Sequence, residues 1–186
     1  IMHTLEHPLM ATTLSREECH KILIPVLYAG LPISGIQKFM PRALVHGSHA
    51  VQGLNLPHLA STQTIQHIQA IQWHGTCQTL TGKLLHNLME AHVLELGSAT
   101  PFWDLDYSKW NHLATPSWIK HTWSDVREAS LTLTGPMQLI PAQRVDDVHL
   151  MDIWINANHY TAANLKILSN TRCYCCITWL SDCVTV

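Results

Sequence analysis

The stretch Thr81-Gly82-Lys83-Leu84-Leu85-His86-Asn87-Leu88-Met89-Glu90-Ala91-His92-Val93-Leu94-Glu95-Leu96-Gly97 decides the fold class. Leu84, Leu85, Leu88, Met89 and Val93 recur at helical spacing on one side, and Gly97 stands where a helix stops. Working outward, Ser61-Thr62-Gln63 opens a helix with Ile65, Ile68 and Ile71, ending near Gly75. Thr115-Pro116 reads as an N-cap followed by proline at the first helical position, with Trp118, Ile119, Trp123 and Val126 on the face behind it. Pro141 can begin a helix through Val148, Met151 and Ile155. Thr161 caps a last helix with Leu165, Leu168, Cys175, Cys176 and Trp179 on one side.

Toward the start, residues 1–30 read as helical, with Ser15 as N-cap, Glu17-Glu18 at the positive end of the dipole and Pro25 as a kink or interruption. Gly30, Pro32, Gly35 and Pro41 punctuate a loop. Arg42–His46 and Val51–Leu56, joined by Gly-Ser-His-Ala, predict a hairpin, and Leu131–Thr134 alternates like a short strand before Gly135-Pro136. The chain is therefore expected to be mainly α: an irregular helical assembly with one short β-hairpin near 42–56. It divides into residues 1–60, a helix plus the hairpin, and residues 61–186, the remaining helices.

Composition limits function. Of 186 residues, 47% are apolar, which excludes a disordered chain, and no apolar run is long enough for a bilayer span. Charged residues make up 13%, about half the usual share, so polar duty passes to His, Gln, Asn, Ser and Thr. The net charge of −2 argues against a strongly basic nucleic-acid binder overall. Charge is nevertheless uneven. Residues 19–89 contain no Asp or Glu, while Lys21, Lys38, Arg42, Lys83 and several histidines, His46 and His49 among them, fall there. Such asymmetry points to a polyanion-facing segment, or to composition drift in a His/Gln-rich sequence. Protonation of the histidines below about pH 6.5 adds to the positive charge. Lys38, Arg42, His46, His49 and Lys83 are the candidate nucleic-acid contacts.

Catalytic and metal patterns are sparse. Cys173, Cys175, Cys176 and Cys183 form a dense thiol group, but residues two apart on a helix point in different directions, so packing thiols are expected rather than zinc ligands. Without an export signal, the six cysteines read as free thiols. His86 and Glu90, four apart, suit a surface pair. Asp146-Asp147 could hold divalent metal for phosphoryl transfer, yet the position suits the first turn of a helix. No nucleophile elbow and no phosphate-cradling glycine loop occurs. Neither a catalytic residue, a metal site nor a cofactor is expected. The chain opens Ile1-Met2 and closes without a polar tail, and both ends read as cuts through a longer polypeptide.

More specific is the series Leu31-Pro32-Ile33-Ser34-Gly35, Pro41-Arg42-Ala43-Leu44-Val45-His46-Gly47 and Gly53-Leu54-Asn55-Leu56-Pro57-His58-Leu59, with Gln63 and His67-Ile68. It continues through Gly82-Lys83-Leu84-Leu85, Met89-Glu90, Leu94-Glu95-x-Gly97, Ser117-Trp118-Ile119-Lys120, Arg144, Asp147, Leu150-Met151-Asp152, Asn164-Leu165, Asn170, Arg172 and Leu180-Ser181-Asp182. This series resembles the region downstream of the polymerase palm in retroelement reverse transcriptases. The resemblance implies a thumb-like segment over 1–60 and a connection region over 61–186. It implies weak contact with template–primer nucleic acid through residues 19–89 and contact with an upstream palm domain. The compartment stays open, intracellular, cytoplasmic or nuclear, by analogy alone, and the short apolar runs predict no membrane partner. The palm's aspartates have no counterpart here, so a noncatalytic fragment of an RNA-directed DNA polymerase is expected. The competing expectation is a helical protein–protein interaction module without a nucleic-acid role.

Overall fold

A computed structural model of the chain describes residues 8–135, 137–157 and 159–183. The helical reading of residues 1–7 and the Pro136 half of the Gly135-Pro136 turn lie outside these. About 60% of the chain is helical, and it divides into two compact units, 1–69 and 70–186. None of the described helices is long and apolar enough to cross a membrane.

In the first unit, helix α1 spans Arg16–Ile33. A capping box starts it: the Ser15 hydroxyl accepts from the Glu18 amide, and the Ser15 amide donates to the Glu18 carboxylate at 2.8 Å. Pro25 sits inside it without interrupting it, on the exposed side of the helix one turn after exposed Lys21. The helix also continues through Gly30 and Pro32, where a loop was expected. The Ile36 amide returns to the Leu31 carbonyl and the Gly35 amide to Pro32, closing the end while Ile36 packs beside Leu31.

The expected β-hairpin does not form. Arg42–His46 is a short helix, α2, followed by a 3-10 turn at His49–Val51. Pro41 starts it, its carbonyl accepting from Leu44 and Val45, and this turns fully buried Val45 into the cluster of Leu23, Leu27 and Leu31. Burial of Val45 thus overrides its strand propensity. The return arm does pair back: the amides of Leu54, Asn55 and Leu56 donate to the carbonyls of Leu44, Gly47 and Val45. The crossing is so close that a Cβ on Gly53 would lie 2.1 Å from the Gly47 oxygen.

Helix α3 spans Leu59–His74. Ile65 is 54% exposed, whereas Gln63 and His67 are buried. The polar residues win because each secures backbone groups of 9–14. The Gln63 amide group both donates to the Leu14 carbonyl and accepts from the Leu14 amide, while His67 Nε2 faces the Leu9 and Thr12 oxygens.

The second unit is organised on α4, Leu80–Leu96, capped by Thr79 and ended by Gly97 at φ +61°. It packs against α6 (Trp118–Glu128), α8 (Ala162–Cys175) and a 3-10 turn at Phe102–Asp104. Helix α5 (Tyr107–Trp110) and helix α7 (Leu150–Asn156) close the core around Trp123, Phe102, Met89, Ile119 and Met151.

Local expectations shift at four places. The cap of α6 is Ser117, not Thr115, whose hydroxyl goes to Glu95 instead. The helix expected from Pro141 begins only at Leu150, because Asp146 turns at φ +59°. Leu131–Thr134 pairs with no strand among the described residues. The last helix stops at Cys175, with Cys176 left-handed, so the thiols of Cys173, Cys175, Cys176 and Cys183 are exposed rather than packed. Trp179 instead bridges back to His149, with rings 4.1 Å apart.

Candidate functional site

In the first unit, the candidate contacts cluster with two aromatic rings. Lys38 Nζ stands 4.8 Å from the centre of the Phe39 ring, Phe39 meets Tyr28 edge-to-face at 6.2 Å, and the Arg42 guanidinium lies 5.7 Å from the Tyr28 ring. The cause is local. Tyr28 lies on the exposed side of α1, and the Pro41 turn brings Arg42 back toward it. Phe39 is 66% exposed and Tyr28 44%. One guanidinium nitrogen of Arg42 is buried with no hydrogen-bond partner among the described residues.

His46 and His49 lie beyond this group. Nδ1 of His46 is 2.9 Å from the Leu56 carbonyl and Nδ1 of His49 is 3.0 Å from that of Gly53, so each ring is held on the loop by one nitrogen. His46 also meets His58 edge-to-face at 5.1 Å. Burial, then the positive charges of His46, Arg16 and His20, hold the pKa of His58 below the ordinary histidine value. His58 thus adds less positive charge on mild acidification than composition suggests. The described acids of this unit are Glu17 and Glu18, and Glu18 is engaged in the cap of α1.

Lys83 belongs to the second unit. It is exposed on α4 and borders a cleft of about 190 Å³ with His74, Cys77, Gln78, His86, Asn87 and Met137. Lys83 therefore does not extend the aromatic group within its own unit.

Of the Asp146-Asp147 pair, Asp146 forms a left-handed turn at φ +59° and Asp147 is tied into local hydrogen bonds. The Asp147 carboxylate accepts from the Ser181 hydroxyl and amide and from the Val148 amide, with Arg144 at 3.8 Å. Asp182 is bound likewise: the amides of Thr178 and Trp179, then Arg144, hold its pKa at about 2. These carboxylates tie 144–147 to 178–182.

A second polar network, missed in the sequence, joins α4 to the start of α6. Glu95 accepts from the Thr115 amide at 2.9 Å and the Thr115 hydroxyl, and sits 3.2 Å from His92 Nδ1. Burial pushes the Glu95 carboxyl up, but the hydrogen bonds from His92 and Thr115 outweigh it and hold the pKa at about 2. A carboxyl depressed in the folded state contributes stability above its unfolded value near 4.5 and loses it as pH falls toward 2. Glu95→Gln is therefore expected to flatten the stability–pH curve over that interval, as read by urea unfolding at pH 2.5 to 6. An unchanged acid limb would contradict the assignment.

The fold is a two-unit, mainly α chain whose first unit bears a cation–aromatic group in which Lys38, Phe39 and Tyr28 are exposed and Arg42 is half-buried. No family model, curated protein or solved structure matches it.

Proposed function

We propose that the chain is an accessory region of a retroelement reverse transcriptase that holds a nucleic-acid strand on its first unit and does no polymerase chemistry itself. The observation supporting this most is the Lys38–Phe39–Tyr28–Arg42 group. Exposed rings offer stacking faces for unpaired bases, and cations beside them meet the phosphates, the combination that single-strand binders use. The absence of acids over residues 19–89 leaves this surface without local repulsion for a polyanion. The resemblance to the region after the palm makes a template strand near the template–primer junction the natural ligand. Commitment of Asp147 to Ser181 and Val148 agrees with a noncatalytic role.

The test is binding of a labelled single-stranded oligonucleotide at low salt. Phe39→Ala is expected to cost about 1–3 kcal/mol of binding, the value of one stacked base. Lys38→Glu with Arg42→Glu is expected to weaken binding about tenfold or more, with the helical circular dichroism unchanged, since each replaced cation also becomes a repelling anion. A double variant that binds as well as the parent would refute the proposal.

A specific observation favours a second reading as a protein-docking module. Leu80 and Leu84, one turn apart on α4, are 74% and 60% exposed. Association through such a face would be insensitive to salt, unlike strand binding.

A further inference from the structure

Ser117, His92 and Glu95 make contacts that capping of a helix does not require. As the N-cap of α6, Ser117 needs only to accept from the Lys120 amide, which it does at 3.0 Å. Its hydroxyl also lies 2.6 Å from His92 Nε2, while His92 Nδ1 lies 3.2 Å from Glu95 Oε2. A carboxylate at Nδ1 fixes the tautomer. The ring proton sits on Nδ1 and points to Glu95, which leaves Nε2 as acceptor for the Ser117 hydroxyl. Glu95 is itself gripped by the Thr115 amide and hydroxyl, with Lys166 at 3.8 Å. His92 is 3% exposed and its ring lies against Phe102 at 5.6 Å, so the imidazole is held in one orientation. Ser117 is only partly buried.

We propose that Ser117 is an activated nucleophile toward small carboxylic esters, with His92 as its general base and Glu95 as the residue that positions the imidazole. This rests on the second unit alone and is independent of strand binding by the first. In acylation the Ser117 oxygen bonds to the ester carbonyl carbon as its proton passes to His92 Nε2, and the carbonyl π pair moves onto oxygen. That oxyanion forms beside the N-terminus of α6, an 11-residue helix whose positive end favours it. Collapse breaks the ester C–O bond, and His92 returns the proton to the departing alcohol. Water then attacks the acyl-serine with His92 again as base, releasing the carboxylic acid and restoring Ser117. Trp118, half-buried and next in the chain, gives a short acyl group one apolar surface.

The full chain is treated with a fluorophosphonate probe and separately with p-nitrophenyl acetate. Ser117→Asn keeps a capping side chain, so it removes the nucleophile while retaining the helix start. The expected result is one probe mapped to Ser117 by peptide mass spectrometry, with no label on Ser117→Asn. His92→Ala, which leaves the Ser117 cap untouched, is expected to slow labelling by about 10²–10⁴-fold, the contribution of a positioned general base. Ester hydrolysis should fall to background in both variants. Label on another residue overturns the proposal, as does parental reactivity no greater than that of Ser117→Asn. Either result would make the three residues a capping network only.

Discussion

Replacing Trp123 by alanine is expected to destabilise the second unit by about 3–5 kcal/mol. The ring is fully buried on α6, 4.7 Å from Phe102 and 4.8 Å from Tyr107. It therefore sits where α6 meets the 3-10 turn and α5. Removing an indole there loses its transfer energy and leaves a cavity that neighbours from three elements cannot jointly fill. The indole nitrogen has no hydrogen-bond partner among the described residues, so the alanine variant loses no side-chain hydrogen bond and the cost is one of packing. Trp123→Phe retains most of the volume and should cost clearly less. Urea unfolding followed by tyrosine and remaining tryptophan fluorescence reads both variants. A loss below about 1 kcal/mol for the alanine variant would contradict the described packing.

The second large effect is expected at Arg172. Its side chain is 3% exposed on α8, and Nη2 donates to the Leu94 and Glu95 carbonyls at 2.6 and 2.7 Å. Those oxygens belong to the last turn of α4, where carbonyls lack intrahelical donors and the dipole is negative. The guanidinium lies so close to Gly97 that a Cβ there would be 2.5 Å from Cζ. Arg172→Met keeps an apolar stem but leaves the Leu94 oxygen without this donor and removes the cation from the helix end. The expected cost is about 2–4 kcal/mol, from the desolvated acceptors and the lost charge interaction. Arg172→Lys should recover only part of it, because a single ammonium nitrogen cannot serve the Leu94 and Glu95 carbonyls as Nη2 does and also reach the Ile177 carbonyl to which Nη1 donates. Equal stability of the methionine variant and the parent would show that α4 does not depend on this clamp.

Features fixed within a few residues were legible in the sequence. Ser15 with Glu18, Gly97 and Thr161 each mark a helix end through a bond to a near neighbour, and all three do so in the structure. What long-range bonds decide was not legible. Gln63 and His67 look like surface residues, and their burial depends on backbone groups 49 to 58 residues away. The Pro41 turn became helical because Val45 had a core to enter, which no count of β-branched residues shows. Thr115 was displaced as a cap by Ser117 because Glu95, 20 residues earlier, takes the threonine hydroxyl. The cationic candidates Lys38 and Arg42 were readable from composition. Their aromatic partners were not, although adjacent Lys38-Phe39 was a usable sign.

Strand binding by the first unit is tested most directly by the salt dependence of oligonucleotide affinity. Fluorescence anisotropy of a labelled single strand, titrated with the full chain at several salt concentrations, gives the slope of log affinity against log salt. Each phosphate contact to a single strand contributes about −0.7, so Lys38 and Arg42 together predict a slope of about −1.4. Lys38→Glu with Arg42→Glu should abolish that dependence along with most of the binding. Undetectable binding at low salt, or a parental slope near zero that the double variant leaves unchanged, would contradict it.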